Sequence, residues 1–368
     1  MTTIRSVLSI INKRPIGAGV DITGEVIGGA PNWATSGQRK ILQAGPGLVK
    51  PNVVVALDGS GKYRSVNEAL QEVPADNKKP FIIYVKQGVY YEWINVTQRM
   101  TNLVLIGDGA TKTKISHNQG YTVTRQTYVT ATFGVDAVGF IAKDIGFENS
   151  AGPAKFQAVA LRVSSDMCIF YRVRVDGYQD SLFAHRGRQF YRECTISGTI
   201  DFIFGDAVAL FQRCNIIVRK PMQGQSNMVL ASGKNRKTDP SALILQNCRI
   251  QAHPLLFPVR FTIKSYLGRP WKKYATHIVM FTQIDDLIDL AGWHPWDNTS
   301  FGLDTCFFAE FNNSGLGASL RKRANWAGVK TRKLPPIYFN KFTATSALME
   351  GRQFIKDSGI PYTQGLTV

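Results

Sequence analysis

Four segments of this chain resemble one another, and their spacing limits the folds open to it. Phe170-Tyr171-Arg172-Val173-Arg174-Val175 is similar to Phe190-Tyr191-Arg192-Glu193-Cys194-Thr195-Ile196. Both are similar to Phe211-Gln212-Arg213-Cys214-Asn215-Ile216 and Leu245-Gln246-Asn247-Cys248-Arg249-Ile250, and successive starts lie 20, 21 and 34 residues apart. Strand-and-turn units of this length stack coil upon coil, so the repeat predicts an all-β chain folded as a parallel β-helix, with one longer loop in the 34-residue interval. Coils about 4.8 Å apart turn equivalent positions into ladders. Cys194, Cys214 and Cys248 occupy similar places in the repeat. Adjacent rungs would bring two Cα atoms within the roughly 4.4–6.8 Å that a disulfide spans. Cys214–Cys248 is the favoured pair, and free thiols in a core ladder are the alternative.

The rest of the chain agrees with a strand-rich domain. Glycine is high, at 33 of 368 residues, which favours turns and strands over a helical bundle. Val53-Val54-Val55-Ala56-Leu57 and Phe81-Ile82-Ile83-Tyr84-Val85 read as strands. Between them, Ser65-Val66-Asn67-Glu68 fits a capping box. Val66, Ala69, Leu70 and Val73 then form one apolar helical face that Pro74 stops, predicting a short helix that caps one end of the β-structure. Residues 1–45 are rich in Gly, Pro and Ser and end in the basic cluster Gln38-Arg39-Lys40-Ile41-Leu42. They read as a flexible arm or as the tail of a removable pro-segment, and residues 46–368 as the catalytic domain. No apolar run approaches the roughly 20 residues of a membrane span. Within residues 1–14, Val7-Leu8-Ser9-Ile10-Ile11 is too short for a secretory core. Five Cys without a CxxC, and only five His, argue against a zinc site. The net charge of +18 predicts attraction to polyanions. Nucleic acid is the common one, but no zinc-ligand spacing, RNP-like segment or basic heptad region supports it.

Three short segments carry polar residues that strands and turns do not need: Gly177-Tyr178-Gln179-Asp180, Asp201-Phe202-Ile203-Phe204-Gly205 and Leu267-Gly268-Arg269-Pro270-Trp271. Asp201 lies in an apolar run, where a charge is costly unless paired, and Arg269 can supply the pairing. Asp180 and Asp201 are 21 residues apart, about one coil, so their carboxylates can share a groove. Two close carboxylates do not both ionise easily; one pKa rises while the other stays low. That divides the pair into a nucleophile and a general acid that later serves as base. Gln157 and Gln179 offer uncharged N–H donors suited to an oxyanion hole, which points to acyl transfer rather than glycoside hydrolysis. Each residue also has a plainer reading. Asp180 fits a turn Asp, Asp201 a structural ion pair, Gln157 a strand start and Trp271 a core residue.

With these motifs in place the chain resembles the plant pectin methylesterases, or pectinesterases, from about residue 50 to its C-terminus. Gly88-Val89-Tyr90-Tyr91-Glu92, Gln157-Ala158-Val159-Ala160-Leu161-Arg162, Ile284-Asp285-Asp286-Leu287-Ile288, Gly292-Trp293-His294-Pro295-Trp296 and Phe308-Ala309-Glu310-Phe311-Asn312-Asn313 match in family order, together with the three segments above. The resemblance implies a right-handed parallel β-helix with long loops flanking a cleft. It implies Asp201 as nucleophile on the C6 methyl ester of galacturonate and Asp180 as acid and then base. Gln157 and Gln179 would stabilise the oxyanion, and Arg269 would orient Asp201. Thr127 and Trp271 would contact substrate, with Tyr178, Phe204 and Trp293 adding aromatic surface. Methyl-esterified homogalacturonan is the implied partner, a proteinaceous pectin methylesterase inhibitor a second candidate, and neither metal nor organic cofactor is expected. A secreted, cell-wall monomer is implied, and the basic charge then suits an enzyme held near an acidic product.

The chain also departs from the family pattern. Val173 stands where the family has Cys, leaving Cys194 without that partner. Val229-Leu230-Ala231-Ser232-Gly233-Lys234-Asn235-Arg236 replaces a Thr-Ala-Gln-Gly-Arg stretch. Ser181 and Phe183 replace Thr and Tyr, and Lys273 replaces Glu. None of these removes a proposed catalytic group.

Overall fold

The computed structural model describes residues 26–27, 30–31, 50–330, 334–348 and 352–366. The expected arm over residues 1–45 lies outside the described residues, apart from the pairing of Val26–Ile27 with Ala30–Pro31. Among the described residues, the strands from Val53 onward form three parallel sheets of ten, eight and seven strands, and the chain visits each sheet in turn. This is the expected parallel β-helix. Residues facing its interior form one continuous apolar core from Val53 to Val329. No helix among the described residues is long and apolar enough to cross a membrane.

The repeat marks the passage from the ten-stranded to the eight-stranded sheet. Strands Cys168–Tyr171, Arg188–Arg192, Val208–Gln212 and Ala242–Gln246 are neighbours in the ten-stranded sheet. Each ends at a single left-handed residue. Arg172, Glu193, Arg213 and Asn247 have φ between +52° and +55°, and Asp144, Phe281 and Asn312 extend the same corner along the helix. A left-handed non-glycine residue costs about 1–2 kcal/mol. Here its N–H is paired with the next coil, as in Arg172 N–H to Arg192 O at 2.9 Å and Glu193 N–H to Gln212 O at 3.0 Å.

The register corrects one rung of the repeat. Phe170 pairs with Tyr191, not Phe190, and Tyr191 pairs with Phe211. Phe170, Tyr191 and Phe211 therefore stack inside the helix, with centroids 4.8 and 4.4 Å apart. Phe190 points outward, where Phe339, Leu348, Ile355 and Tyr362 of the C-terminal segments cover the ten-stranded sheet. A one-residue slip reverses the face of every side chain, and the shared Phe-Tyr-Arg spelling conceals that slip.

The cysteine ladder is present without the favoured bond. Thr195, Asn215 and Arg249 are in register, which places Cys194, Cys214 and Cys248 on successive rungs. All three are buried free thiols, as are Cys168 and Cys306. Each of the three donates to a carbonyl of the preceding coil: Cys194 to Phe170 O at 3.3 Å, Cys214 to Tyr191 O at 3.5 Å and Cys248 to Phe211 O at 3.4 Å. The thiols thus hydrogen-bond along the coil corner, to these carbonyls and, for Cys214, to its Cys194 and Cys248 neighbours, without a covalent bond.

The capping helix is present but shorter than its periodicity suggests, spanning Val66–Leu70. Ser65 Oγ accepts the Glu68 N–H at 3.4 Å. The anion at this helix start comes from another strand end. Glu92 accepts the Val66 and Asn67 N–H groups at 2.7 and 2.8 Å and the Ser65 hydroxyl at 2.8 Å.

Candidate active site

Asp180, Asp201 and Arg269 come together beside the seven-stranded sheet, and Gln157 and Gln179 lie in segments that lead into its strands. Leu161, Leu182 and Ile203 are in register on adjacent strands. The segments leading into these strands carry Gln157, then Gln179 and Asp180, then Asp201. Asp180 and Asp201 each lie two residues before the paired position, so the 21-residue interval is one coil, as expected. Both have left-handed backbones, at φ +63° and +49°. Asp tolerates this region better than most residues, and such strain persists where the surroundings impose it. The neighbouring coils do so here, with Asp180 N–H bonded to Ile200 O at 3.0 Å and Phe202 N–H to Met228 O at 3.3 Å.

Arg269 arrives from strand Ser265–Gly268, two strands beyond Ile203–Gly205 in the same sheet. Its N–H is fixed on Leu230 O at 3.0 Å. Its guanidinium grips Asp201 with two parallel bonds, Nε to Oδ1 at 2.9 Å and Nη2 to Oδ2 at 2.7 Å. Asp180 and Asp201 are buried, at 7% and 6% exposure. Burial pushes the Asp180 carboxyl well above the ordinary range, the Asp201 charge pushes it further, and Arg269 opposes them. Burial also raises Asp201, but there the two hydrogen bonds and the charge of Arg269 pull the other way. The pair is therefore unequal. Asp180 is pushed well above the ordinary carboxylate range, whereas Asp201, also raised by burial, is the carboxylate matched to a cation.

Aromatic side chains line the same face. Phe183 and Phe204 stack at 4.3 Å and 13°, and Trp271 meets Phe204 edge-on at 5.8 Å. These rings pack with Ala131, Val159 and Ala231 as a small cluster on the sheet's outer face. The altered stretch at 229–236 fits this arrangement. Its first residues complete strand Asn227–Ser232, and Gly233 leaves room for Trp271, since a Cβ there would lie 2.8 Å from the indole. Gly205 is equally constrained, with φ +132° and a Cβ position 1.8 Å from Ala184 O.

The remaining candidates are placed less uniformly. Thr127 opens the short 3-10 turn Thr127–Thr130 ahead of strand Phe133–Val135, two coils before the Asp180 coil. Tyr178 is half-buried beside Gln179, with its ring under Arg219 at 3.9 Å. Trp293 does not reach the cleft. It is 1% exposed, stacks on His277 at 5.7 Å, lies tilted against Phe308 at 4.7 Å, and donates its indole N–H to Glu310 at 3.2 Å. The expected aromatic surface at this position is core. The ladder explains it, because Trp293 pairs with Gly268 as the next rung and its ring turns inward.

Two residues just beyond Trp293 were not singled out from the sequence. The Trp296 ring lies 4.2 Å from the Arg269 guanidinium, and Asp297 Oδ1 lies 3.7 Å from Arg269 Nη1. His294 N–H bonds to Gly268 O at 3.0 Å, which brings this loop over Arg269. The motif Gly-Trp-His-Pro-Trp contained the signal, but its two tryptophans cannot be assigned to core and cleft without the rung.

Comparison with known proteins identifies the family and supports the fold. Residues 52–352 match the family described as pectinesterase. A probable pectinesterase/pectinesterase inhibitor 58 of Arabidopsis thaliana is 50% identical over 335 residues, covering 91% of this chain and 58% of the relative. A pectinesterase of Petunia integrifolia is 48% identical over 328 residues, covering 89% of this chain and 87% of the relative. The chain thus spans little more than half of the Arabidopsis relative. Among solved structures, a pectin methylesterase from carrot superposes with a TM-score of 0.84 at 42% identity, covering 86% of this chain and 99% of that one. The pectin methylesterase PemA from Erwinia chrysanthemi gives 0.70 at 25% identity, covering 87% and 100%.

Proposed function

Since the chain belongs to the pectinesterase family, we propose that it hydrolyses the C6 methyl esters of galacturonate units in pectin, releasing methanol. The observation that carries this reading is the unequal carboxylate pair: Asp201 in a two-bond grip with Arg269, beside Asp180 with a strongly raised pKa. An Asp201 oxygen attacks the ester carbonyl carbon. The tetrahedral oxyanion is met by the side-chain N–H donors of Gln157 and Gln179. As it collapses, the methoxy oxygen takes the proton of Asp180 and leaves as methanol, and the galacturonyl group remains on Asp201 as an anhydride. Asp180, now a carboxylate, takes a proton from water. The resulting hydroxide attacks the galacturonyl carbonyl, returning Asp201 as carboxylate and the product as an acid.

Trp271 and the Phe183–Phe204 pair provide an apolar floor for sugar faces and the ester methyl, with Thr127 and Tyr178 at the cleft edge. A role in modifying the plant cell wall, and secretion to reach it, follow from this substrate. The basic charge attracts the acidic product, and methyl release is expected to slow as ionic strength rises, because screening weakens that attraction.

The test is methanol release from highly esterified pectin, with chain length of the polymer followed in parallel. Methanol without shortening supports the esterase. Shortening without methanol, or pectin binding with no turnover, overturns it. Arg269→Ala should reduce release by at least about 10³-fold, because the buried Asp201 charge loses its partner and takes up a proton. The same change should cost about 3–5 kcal/mol of stability in denaturant unfolding at neutral pH. Near-normal release from this variant would remove Arg269 from the mechanism.

A further inference from the structure

The segment that carries Gln179 and Asp180 is held from outside its own coil. Residues 177–181 connect strands Arg174–Asp176 and Leu182–Ala184 and include the left-handed Asp180. The next coil contributes backbone bonds, from Gly177 N–H to Ser197 O at 3.2 Å and from Thr199 N–H to Tyr178 O at 2.9 Å. The Ser181 hydroxyl also donates to Tyr178 O, at 3.0 Å. The segment is tightly packed: a Cβ at Gly177 or Gly198 would come within 2.6 or 2.7 Å of Ser181 Oγ. A displacement here has little room to be absorbed locally.

Arg219 adds a clamp from two coils away. It follows strand Asn215–Val218, whose register runs through Thr195 back to Arg174. Its N–H is anchored on Gly198 O at 2.7 Å, which sets where the side chain starts. The guanidinium then reaches back. Nη1 donates to Gly177 O at 3.0 Å, Nη2 donates to the Tyr178 hydroxyl at 2.8 Å, and the group lies 3.9 Å from the Tyr178 ring centroid. One planar fork thus binds the carbonyl, the side-chain tip and the ring face of the dipeptide directly before Gln179. A lysine cannot reproduce that combination, because its ammonium lacks the flat, divided donor set.

We infer that Arg219 is a positioning residue for ester hydrolysis. It acts through Gly177 and Tyr178 to keep the Gln179 donor and the Asp180 carboxyl where the tetrahedral state requires them. The inference rests on the esterase reading above. Oxyanion donors contribute only when aimed at the position the oxyanion will occupy, and a displacement of about 1 Å can cost about 10²-fold in rate. Removing the clamp should therefore affect turnover far more than substrate binding.

The test compares Arg219→Ala, Arg219→Lys and Tyr178→Phe with the parent, measuring methanol release across pectin concentrations and thermal unfolding of each protein. In Arg219→Ala, kcat should fall about 10- to 100-fold, KM should change by less than about 3-fold, and Tm should stay within a few degrees. Free guanidinium ion at low concentration should restore part of the Arg219→Ala rate, whereas Arg219→Lys should recover little. Tyr178→Phe keeps the ring and loses one bond, so its kcat should fall less. An unchanged kcat in Arg219→Ala overturns the inference, as does a raised KM at constant kcat, which would make Arg219 a substrate contact. If Arg219→Ala does not fold, Tyr178→Phe decides, and an unchanged kcat there overturns the inference. A parent that releases no methanol overturns the esterase reading and this inference with it. An active parent with indifferent Arg219 variants overturns the inference alone.

Discussion

Asp201→Asn is expected to lower methanol release by about 10⁴-fold or more, the scale on which removing a nucleophile acts in covalent catalysis. The amide is nearly isosteric but carries no charge and cannot form the anhydride. Its environment favours a clean result. Asp201 is buried, its backbone position is set by the Ile203–Gly205 rung, and only the two-bond contact with Arg269 changes character. The guanidinium would face one carbonyl oxygen and one NH₂ group. That costs about 1–3 kcal/mol for unsatisfied donors, partly offset because a charge no longer has to be buried. Pectin binding, read by calorimetry, should persist, since the proposed aromatic floor of Phe183, Phe204 and Trp271 is untouched. Substantial methanol release from the folded variant would mean that Asp201 is not the nucleophile.

Asp180→Asn should also abolish turnover, but with the opposite signature in stability. Burial and the adjacent Asp201 raise the Asp180 pKa in the folded state, so the folded protein holds a proton that the unfolded chain gives up. Stability from such a group is fully present below the unfolded pKa, about 3.9, and is lost as pH rises through the raised folded value. Within that window the loss is about 1.4 kcal/mol per pH unit. Asparagine does not titrate. The variant should therefore match the parent near pH 3.5 and become progressively more stable than it as pH rises from the unfolded pKa to the raised folded one, in urea unfolding read at each pH. A constant difference across pH would show that Asp180 is not the strained carboxyl of the pair. The expected gain in stability with total loss of activity is what a catalytic acid held in an unfavourable environment should give.

Much of this site was legible before any coordinates, and the misses have identifiable causes. The interval between Asp180 and Asp201 equals one coil, so two positions on one ladder could be paired by counting. Asp201 in an apolar run required a cation, and Arg269 in a Gly-Arg-Pro-Trp turn was a plausible source. Counting failed at Phe190, where similar spelling hid a slip of one residue, and in a strand one residue decides between core and surface. It failed also at Trp293, where a ring assigned to the cleft is packed in the core against His277 and Phe308. The thiols of Cys214 and Cys248 show a third kind of failure. The ladder places the two residues side by side, but each thiol keeps its hydrogen and donates to a carbonyl of the preceding coil.

The amino-acid sequence by itself determined the repeat, the stacking of coils, the pairing of the two carboxylates and the need to neutralise one of them. These depend on local spacing and on the cost of burying charge, both of which can be read along a chain. Only the tertiary structure decided which carboxylate is gripped by the cation, because that depends on the direction of one guanidinium across 68 residues. It alone brought Trp296 and Asp297 to Arg269 and placed Arg219 against the loop before Gln179. Those contacts join loops from different coils, and no periodicity encodes where a loop returns.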